Sequence, residues 1–407
     1  MIRKSGYDKV LNNIIPAETD TLLANILFRL FNRREPISFA YAWYRGSYAN
    51  ILYPDAAFDF PGVANFLSRL GQNAVLDNFF RRHLDYFANT DAPELKSSGY
   101  VLVGRADAKN IIKTPRAARE NYNISEKNSQ KLVCAIDVFS SIPLMFNLFD
   151  ENVADASALG NAIASLKSYG FNFKRAIVDA GYFSRNNISE LYARDIPFIV
   201  KLDSSSALYA KIWKNLSQNI RVSKNSLFYG KRSPYGKKDR INLFGRAAYA
   251  YAITDFHRKS DPLYNLKLSE HRGKINADRE NDLRNYSSFV MLSSANIQLL
   301  EALALYRARL KIERAFDIPK NRISSRIPRD HSLERRKGRA TINFIAATLR
   351  LTLSRLLGES EYDASRALFE MRRLRVNMEN GKPHSIEEIN KDASAIIQAL
   401  SLKLPVA

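Results

Sequence analysis

The stretch from Tyr100 to Leu202 constrains the fold more than any other part of the chain. Its apolar runs come in a fixed order: YVLVG (Tyr100–Gly104), LVCAIDVF (Leu132–Phe139), PLMFNLF (Pro143–Phe149), AIVD (Ala176–Asp179) and PFIVKL (Pro197–Leu202). Each has the length and the Val, Ile, Leu and Phe content of a buried strand. The second and third are separated by the turn residues Ser140 and Ser141, whereas helical segments, Ala154–Tyr169 and Asn187–Arg194, precede the fourth and fifth. A short turn makes its two strands antiparallel neighbours, and a helical crossover returns the chain parallel. The order therefore predicts an α/β fold with a mixed sheet, three antiparallel strands continued by parallel ones.

The flanks have a different texture. From Thr21 to about Ala88 the apolar residues of LLANILFRLF, VANFLSRLG and NFFRRHLDYF recur at three- and four-residue intervals, a helical pattern, and NTDAPELKSS (Asn89–Ser98) reads as a linker. Within this part Trp43 reads as a core residue. Arg81, Arg82 and His83 either touch phosphates or cap an amphipathic face. The chain thus divides into an N-terminal helical region over residues 1–95, a central unit over 96–330, and a C-terminal helical region over 331–407 with helices over Thr341–Leu357, Ser360–Arg375 and Ser385–Leu400. Inside the central unit, about 203–296 reads as a β-rich insertion. Its segment Val222–Thr254 alternates around a basic turn, GKRSPYGKKDR, and SSFVMLSS (Ser287–Ser294) supplies another strand. Lys231, Arg232, Lys237 and Lys238 in that turn, with Tyr235 among them, suit phosphate and base-stacking contacts, or form an ordinary polar hairpin tip.

Charge narrows the partners. The chain of 407 residues carries a formal charge of +21 with pI near 9.9, which favours a polyanion. Cys134 stands alone, so a disulfide framework and a cysteine-rich zinc site are excluded, and the five histidines have no zinc-ligand spacing. No leader-like apolar run opens the sequence and no segment approaches the length of a membrane span, so a soluble, cytoplasmic protein without a membrane partner is expected.

The strand order is that of an RNase H-like sheet, in which metal ligands come from the end of the first strand, the end of the fourth, and a late helix. Asp179 closes the fourth run, and Glu313 lies in the late stretch YRARLKIERAFDIPK (Tyr306–Lys320). There Tyr306, Arg309 and Glu313 are spaced by three and four, a single polar stripe on a helix, with Lys320 in the turn beyond Pro319. Read alone, the stripe is either a solvated ion-paired helix face or a metal ligand among phosphate binders.

The spacing Tyr306-x2-Arg309-x3-Glu313-x6-Lys320, with Asp179-Ala-Gly-Tyr182 upstream, resembles the Y-R-E-K signature of DDE transposases from bacterial insertion sequences. The likeness extends through IPLMFNLFDENVADAS and HSLERRKGRATINFIA and covers roughly Ser38 to the C-terminus. It implies that 96–330 form an RNase H-like catalytic domain that cuts DNA at transposon ends and joins it to target DNA, and that 1–95 form a DNA-binding region. Asp179 and Glu313 would hold a two-ion Mg²⁺ site, with Mn²⁺ as a substitute, because only hard oxygen ligands suit such ions. Arg309 and Lys320 would contact phosphates, Tyr306 would position the strand end, and the protein would act as a homodimer on double-stranded DNA. One departure stands out. Where the family has Asp-x-Thr at the end of the first strand, this chain has Gly104, Arg105 and Ala106. Asp107 replaces the missing carboxylate only if the strand is shifted or bulged, and Arg105 would repel a cation there. Asp137, at the end of the second strand, reads as structural. The alternatives are a relative that binds transposon ends without cutting, and an unrelated basic RNA-binding protein.

Overall fold

The structure is a computed structural model that describes residues 5–32, 35, 39–93, 95–108, 130–150, 155–178, 180–229, 233–254, 288–308, 332–358 and 360–404. Its centre is one eight-stranded sheet. Strands β1 (Tyr100–Ala108), β2 (Gln130–Asp137), β3 (Pro143–Asp150), β4 (Arg175–Val178), β5 (Phe198–Lys201), β6 (Tyr235–Leu243), β7 (Arg246–Thr254) and β8 (Ser288–Ser293) lie in the order β3-β2-β1-β4-β5-β8-β7-β6. The pairs β1/β4 and β4/β5 are parallel and the others antiparallel, as the turn and crossover lengths require. Val101, Val103, Ile177, Val178, Phe198 and Val200 are buried along the middle of the sheet, so its five central runs form a continuous core.

The insertion does not make a separate unit. Its three strands extend the same sheet from β5, and it also contains a helix. The expected basic turn is in large part strand β6, whose hairpin with β7 turns at Phe244 and Gly245, both with positive φ (53° and 89°). β6 is an edge strand, and its Lys237, Lys238 and Arg240 are the polar, cationic residues that keep an edge from pairing with another chain. That composition made a strand read as a loop.

Among the described residues the helices are α1 (Asp8–Leu11), α2 (Thr19–Phe31), α3 (Ala40–Arg45), α4 (Ala49–Leu52), α5 (Phe60–Leu70), α6 (Asn73–Asn89), α7 (Asp155–Ser168), α8 (Arg185–Ala193), α9 (Ala207–Leu216), α10 (299–308), α11 (Leu333–Leu357), α12 (Ala364–Arg373) and α13 (Lys391–Ala399). Asp59, Ser184, Ser206, Ser332, Asp363 and Asn390 each cap a helix by accepting from the backbone N–H three residues on. Gly358, at φ 57°, ends α11 as expected. Helix α11 starts eight residues earlier than its apolar pattern indicates, and Ser385 falls in a hairpin, Val376–Glu379 with Lys382–Ile386, rather than in a helix.

The N- and C-terminal helices pack into one layer. Helix α11 lies across α2 and α5, and α6 and α11 both reach β3. The α5–α11 crossing is so close that a Cβ at Gly338 would sit 1.9 Å from the Leu67 carbonyl, and one at Gly71 1.7 Å from that of Glu334. Only glycine fits either place. Aromatic rings seal the layer to the sheet: Phe344 meets Phe79, Phe80 and Phe146 at centroid distances of 6.0, 5.7 and 5.5 Å. Trp43 packs on Phe28 and Phe58 in the core, as read from the sequence. No helix among the described residues is long and apolar enough to cross a membrane.

Candidate active site

The parallel register of β1 and β4 runs from Tyr100↔Arg175 to Val103↔Val178. One residue further along each strand stand Gly104 and Asp179; Asp179 lies outside the described residues. Gly104 pairs with Cys134 of β2, and among the described residues a Cβ built on it meets nothing within 4 Å. No described atom therefore fills the place beside Gly104 on the β4 side of β1.

Asp107 does not come round to fill that room by a bulge. The β1–β2 pairing is unbroken from Val101↔Asp137 through Asp107↔Lys131 to Ala108↔Gln130. Three residues is an odd step in a strand, so Asp107 stands at the register positions alternate to Gly104, about 10 Å further along.

Helix α10 is aimed at the same edge. Ala302, Leu303 and Leu305 are buried beneath it. At its start Glu301 accepts from Arg175 and from the Tyr100 hydroxyl, both at 3.2 Å, beside the first residues of β4 and β1. Burial, then the Glu301 carboxylate, raises the Tyr100 phenol above its ordinary range. About one and a half turns later the Tyr306 ring stacks on Phe289 of β8 at 3.9 Å, with the Lys201 ammonium, at the end of β5, 5.8 Å from its centroid. Nearby, Tyr209 is pushed up to about 12 by burial and by Tyr306. The chain thus travels from the amino ends of β1 and β4 to the carboxyl end of β5 by residue 306. Arg309, Glu313 and Lys320 follow, outside the described residues.

The remaining candidates divide. Lys231 and Arg232 are outside the described residues. Lys238 donates to Asn296 Oδ1 (2.7 Å) and the Ile297 carbonyl (3.2 Å), and Lys237 to the Gln218 carbonyl, so both ammonium groups bind their own chain. Arg82 bonds Asn78, Arg81 lies over Tyr169, and His83 is fully buried. His83 thus lies out of reach of a phosphate, whereas Arg81 and Arg82 are exposed. Asp137 is fully buried and accepts from Ser97 Oγ, from N and Oγ of Ser98, from Phe139 N, and from N and Oγ of Ser140, at 2.7–3.2 Å. Its lone pairs are occupied by the turn it holds, which is the structural role read from the sequence. The Glu301–Arg175 pair and the Phe289 support under Tyr306 were not visible in the sequence, because their partners lie 126 and 17 residues apart.

Among the described residues no group of three or more His, Cys, Asp or Glu side chains could hold a metal. Asp179 and Glu313, both outside the described residues, are carboxylates, the chemical kind that suits a hard divalent ion.

No curated protein matches the chain in sequence. Seven chains of solved structures match. One is a piggyBac transposase, solved by cryo-EM as a synaptic complex with hairpin DNA; it is 10% identical, the match covers 92% of this chain and 78% of that one, and the TM-score is 0.40. So loose a superposition carries no argument. A family model described as the transposase DDE domain matches residues 105–349, more than half of the chain, beginning one residue after Gly104. The sheet order, the late helix and this match agree: the chain belongs to the transposase DDE domain family.

Proposed function

We propose that this protein acts on double-stranded DNA, cleaving transposon ends and joining them to target DNA by metal-dependent phosphoryl transfer at the carboxyl edge of β1 and β4. The observation that carries the reading is the convergence of chain segments there: β4 leads into Asp179, and α10 travels from Arg175 to Lys201 before the chain continues to Glu313. Asp179 and Glu313 would hold Mg²⁺, or Mn²⁺ in its place. When bound, such ions neutralise charge on a scissile phosphate and lower the pKa of an attacking water or 3′-hydroxyl. The protein's own part is to hold and orient. Arg309 and Lys320 bind neighbouring phosphates through charge-assisted hydrogen bonds, and Tyr306 positions the helix through its stack on Phe289. Residues 1–95 and 331–407 grip the flanking duplex, for which a charge of +21 is suited. Joining two ends calls for a homodimer on DNA.

Gly104 favours a second reading, binding of transposon ends without cutting. The resemblance puts a third carboxylate at Gly104, no described atom fills that place, and the unbroken β1 register shows no bulge that would bring Asp107 to it. Incubation of the protein with a transposon-end duplex and Mg²⁺ or Mn²⁺ separates the two. Nicking that disappears in Asp179→Ala supports cleavage. Binding without nicking, converted to nicking by Gly104→Asp, supports the second reading.

A further inference from the structure

The first two turns of α11 present Arg335, Arg336, Lys337 and Arg339, with Glu334 as the acidic residue among them. All four cations are partly buried. This is the positive end of the α11 dipole, where each added cation costs rather than contributes stability. The α6 N-terminus points into the same corner: its N-cap, Gln72, makes no side-chain cap bond, and Lys337 donates to Asn73 Oδ1 at 2.7 Å. The close α5–α11 crossing through Gly71 and Gly338 holds the two helix ends together. Burial and the neighbouring Arg335 push the Arg339 guanidinium below its ordinary range, a sign of like charges held close in a partly dry place. Glu334 is exposed, and Asp77, one turn along α6, accepts from the Tyr169 hydroxyl at 2.7 Å.

The corner lies on the side of the sheet that carries the candidate site. Arg355, near the end of α11, donates to the Phe139 and Ser140 carbonyls in the β2–β3 turn, at the amino end of β1. Along α6, His83 meets Pro143, the first residue of β3, and Phe80 meets Phe146, which pairs through Cys134 with Gly104. Moving toward Asn73 thus means moving past the level of Gly104 toward the carboxyl edge, by about 10 Å for the seven residues from Phe80. We propose that Arg335, Arg336, Lys337 and Arg339, with the α6 N-terminus, form a phosphate-binding corner that holds the backbone of the duplex running out from the candidate site. The inference rests on the DNA-binding part of the proposed function and adds the surface that grips the flank.

Its test is duplex DNA binding measured by fluorescence anisotropy across a range of KCl concentrations. Each lost phosphate contact lowers the slope of log K against log salt by about 0.9. The double variant Arg336→Gln/Lys337→Gln should lose about two from the slope and roughly tenfold or more in affinity at physiological salt. Its melting temperature without DNA should stay within a few degrees of wild type, the lost Lys337–Asn73 bond and the relieved repulsion opposing each other, so a reduced slope at a near-native melting point reports lost DNA contact rather than unfolding. A control, Lys211→Gln/Lys214→Gln on the exposed face of α9, should leave the slope within a few tenths. An unchanged slope in the α11 variant while the wild type binds DNA overturns this inference alone. A wild type that binds no duplex overturns the proposed function and this inference with it.

Discussion

His83 should make stability depend on pH in a way that can be worked from its surroundings. The ring is fully buried, with Tyr7 Oη 2.5 Å from Nδ1 and the Pro143 carbonyl 2.8 Å from Nε2. The carbonyl can only accept, so Nε2 carries the proton and Nδ1 accepts from the Tyr7 hydroxyl. Rings of Phe79, Phe87 and Phe344 close the remaining sides at 5.3, 4.9 and 5.1 Å. A second proton would set donor against donor in an apolar pocket, and burial accordingly lowers the pKa from 6.5 to about 4. The unfolded chain therefore binds this proton more tightly. The contribution to stability is complete above pH 6.5 and is lost as pH falls toward 4; the separation is worth about 3 kcal/mol. His83→Phe removes the titration while leaving the Tyr7 hydroxyl and the Pro143 carbonyl unsatisfied, at a cost of about 2–4 kcal/mol at pH 7. In urea unfolding, the stability gap between wild type and variant should narrow by about 2–3 kcal/mol between pH 7 and pH 4.5. Other titrating groups are common to both proteins and cancel. A gap that stays constant over that range would refute the reasoning.

Four further outcomes follow from particular contacts. Gly338→Ala must push the α5 backbone away and should cost about 3 kcal/mol or more, seen as a melting point lower by several degrees, whereas Gly104→Ala, with no described atom within 4 Å of the new methyl, should be neutral or gain up to about 1 kcal/mol. Asp137→Asn turns donors toward the Ser98 and Ser140 donors and should destabilise by about 2–4 kcal/mol in denaturant unfolding, with no change in the metal dependence of DNA binding. Tyr306→Ala loses the stack on Phe289 and should cost about 3 kcal/mol, while Tyr306→Phe should retain most of it, read by the same melts. Lys238→Met, which leaves Asn296 Oδ1 without its donor, should lower stability by about 1 kcal/mol and leave duplex affinity nearly unchanged.

The core of the fold was legible because its strands are buried on both faces and read as continuous apolar runs, and because turn and helix lengths dictate parallel or antiparallel return. Legibility failed where a strand or helix buries little. Edge strand β6 read as a turn because its Lys237, Lys238 and Arg240 protect an unpaired edge. The hairpin of Val376–Glu379 and Lys382–Ile386 has no apolar face; its turn, Asn380-Gly381 with both φ positive, lies between the two runs that read as helices, and only its end at Ser385 overlaps the second. The start of α11 was hidden by LERRKGRA, whose four cations give little apolar pattern and whose Gly338 serves a close crossing. At the candidate site, the position of Asp179 after the fourth strand could be read from strand order, whereas the reading of Gly104 came from the family resemblance. The support of Tyr306 by Phe289 and of Glu301 by Arg175 could not, since tertiary pairs of this kind leave no local pattern.

The central claim, a divalent-ion site shared by the ends of β1 and β4 and the segment after α10, can be tested without knowing the DNA ends. Fe²⁺ supplied in place of Mg²⁺, with ascorbate and peroxide, generates hydroxyl radicals that cut the polypeptide beside the bound ion, and mass spectrometry reads the fragments. Cuts next to Asp179 and around Glu313, stronger in Gly104→Asp than in wild type and suppressed by excess Mg²⁺, are the predicted result. Cuts that map elsewhere, or that persist in Asp179→Ala, would contradict it.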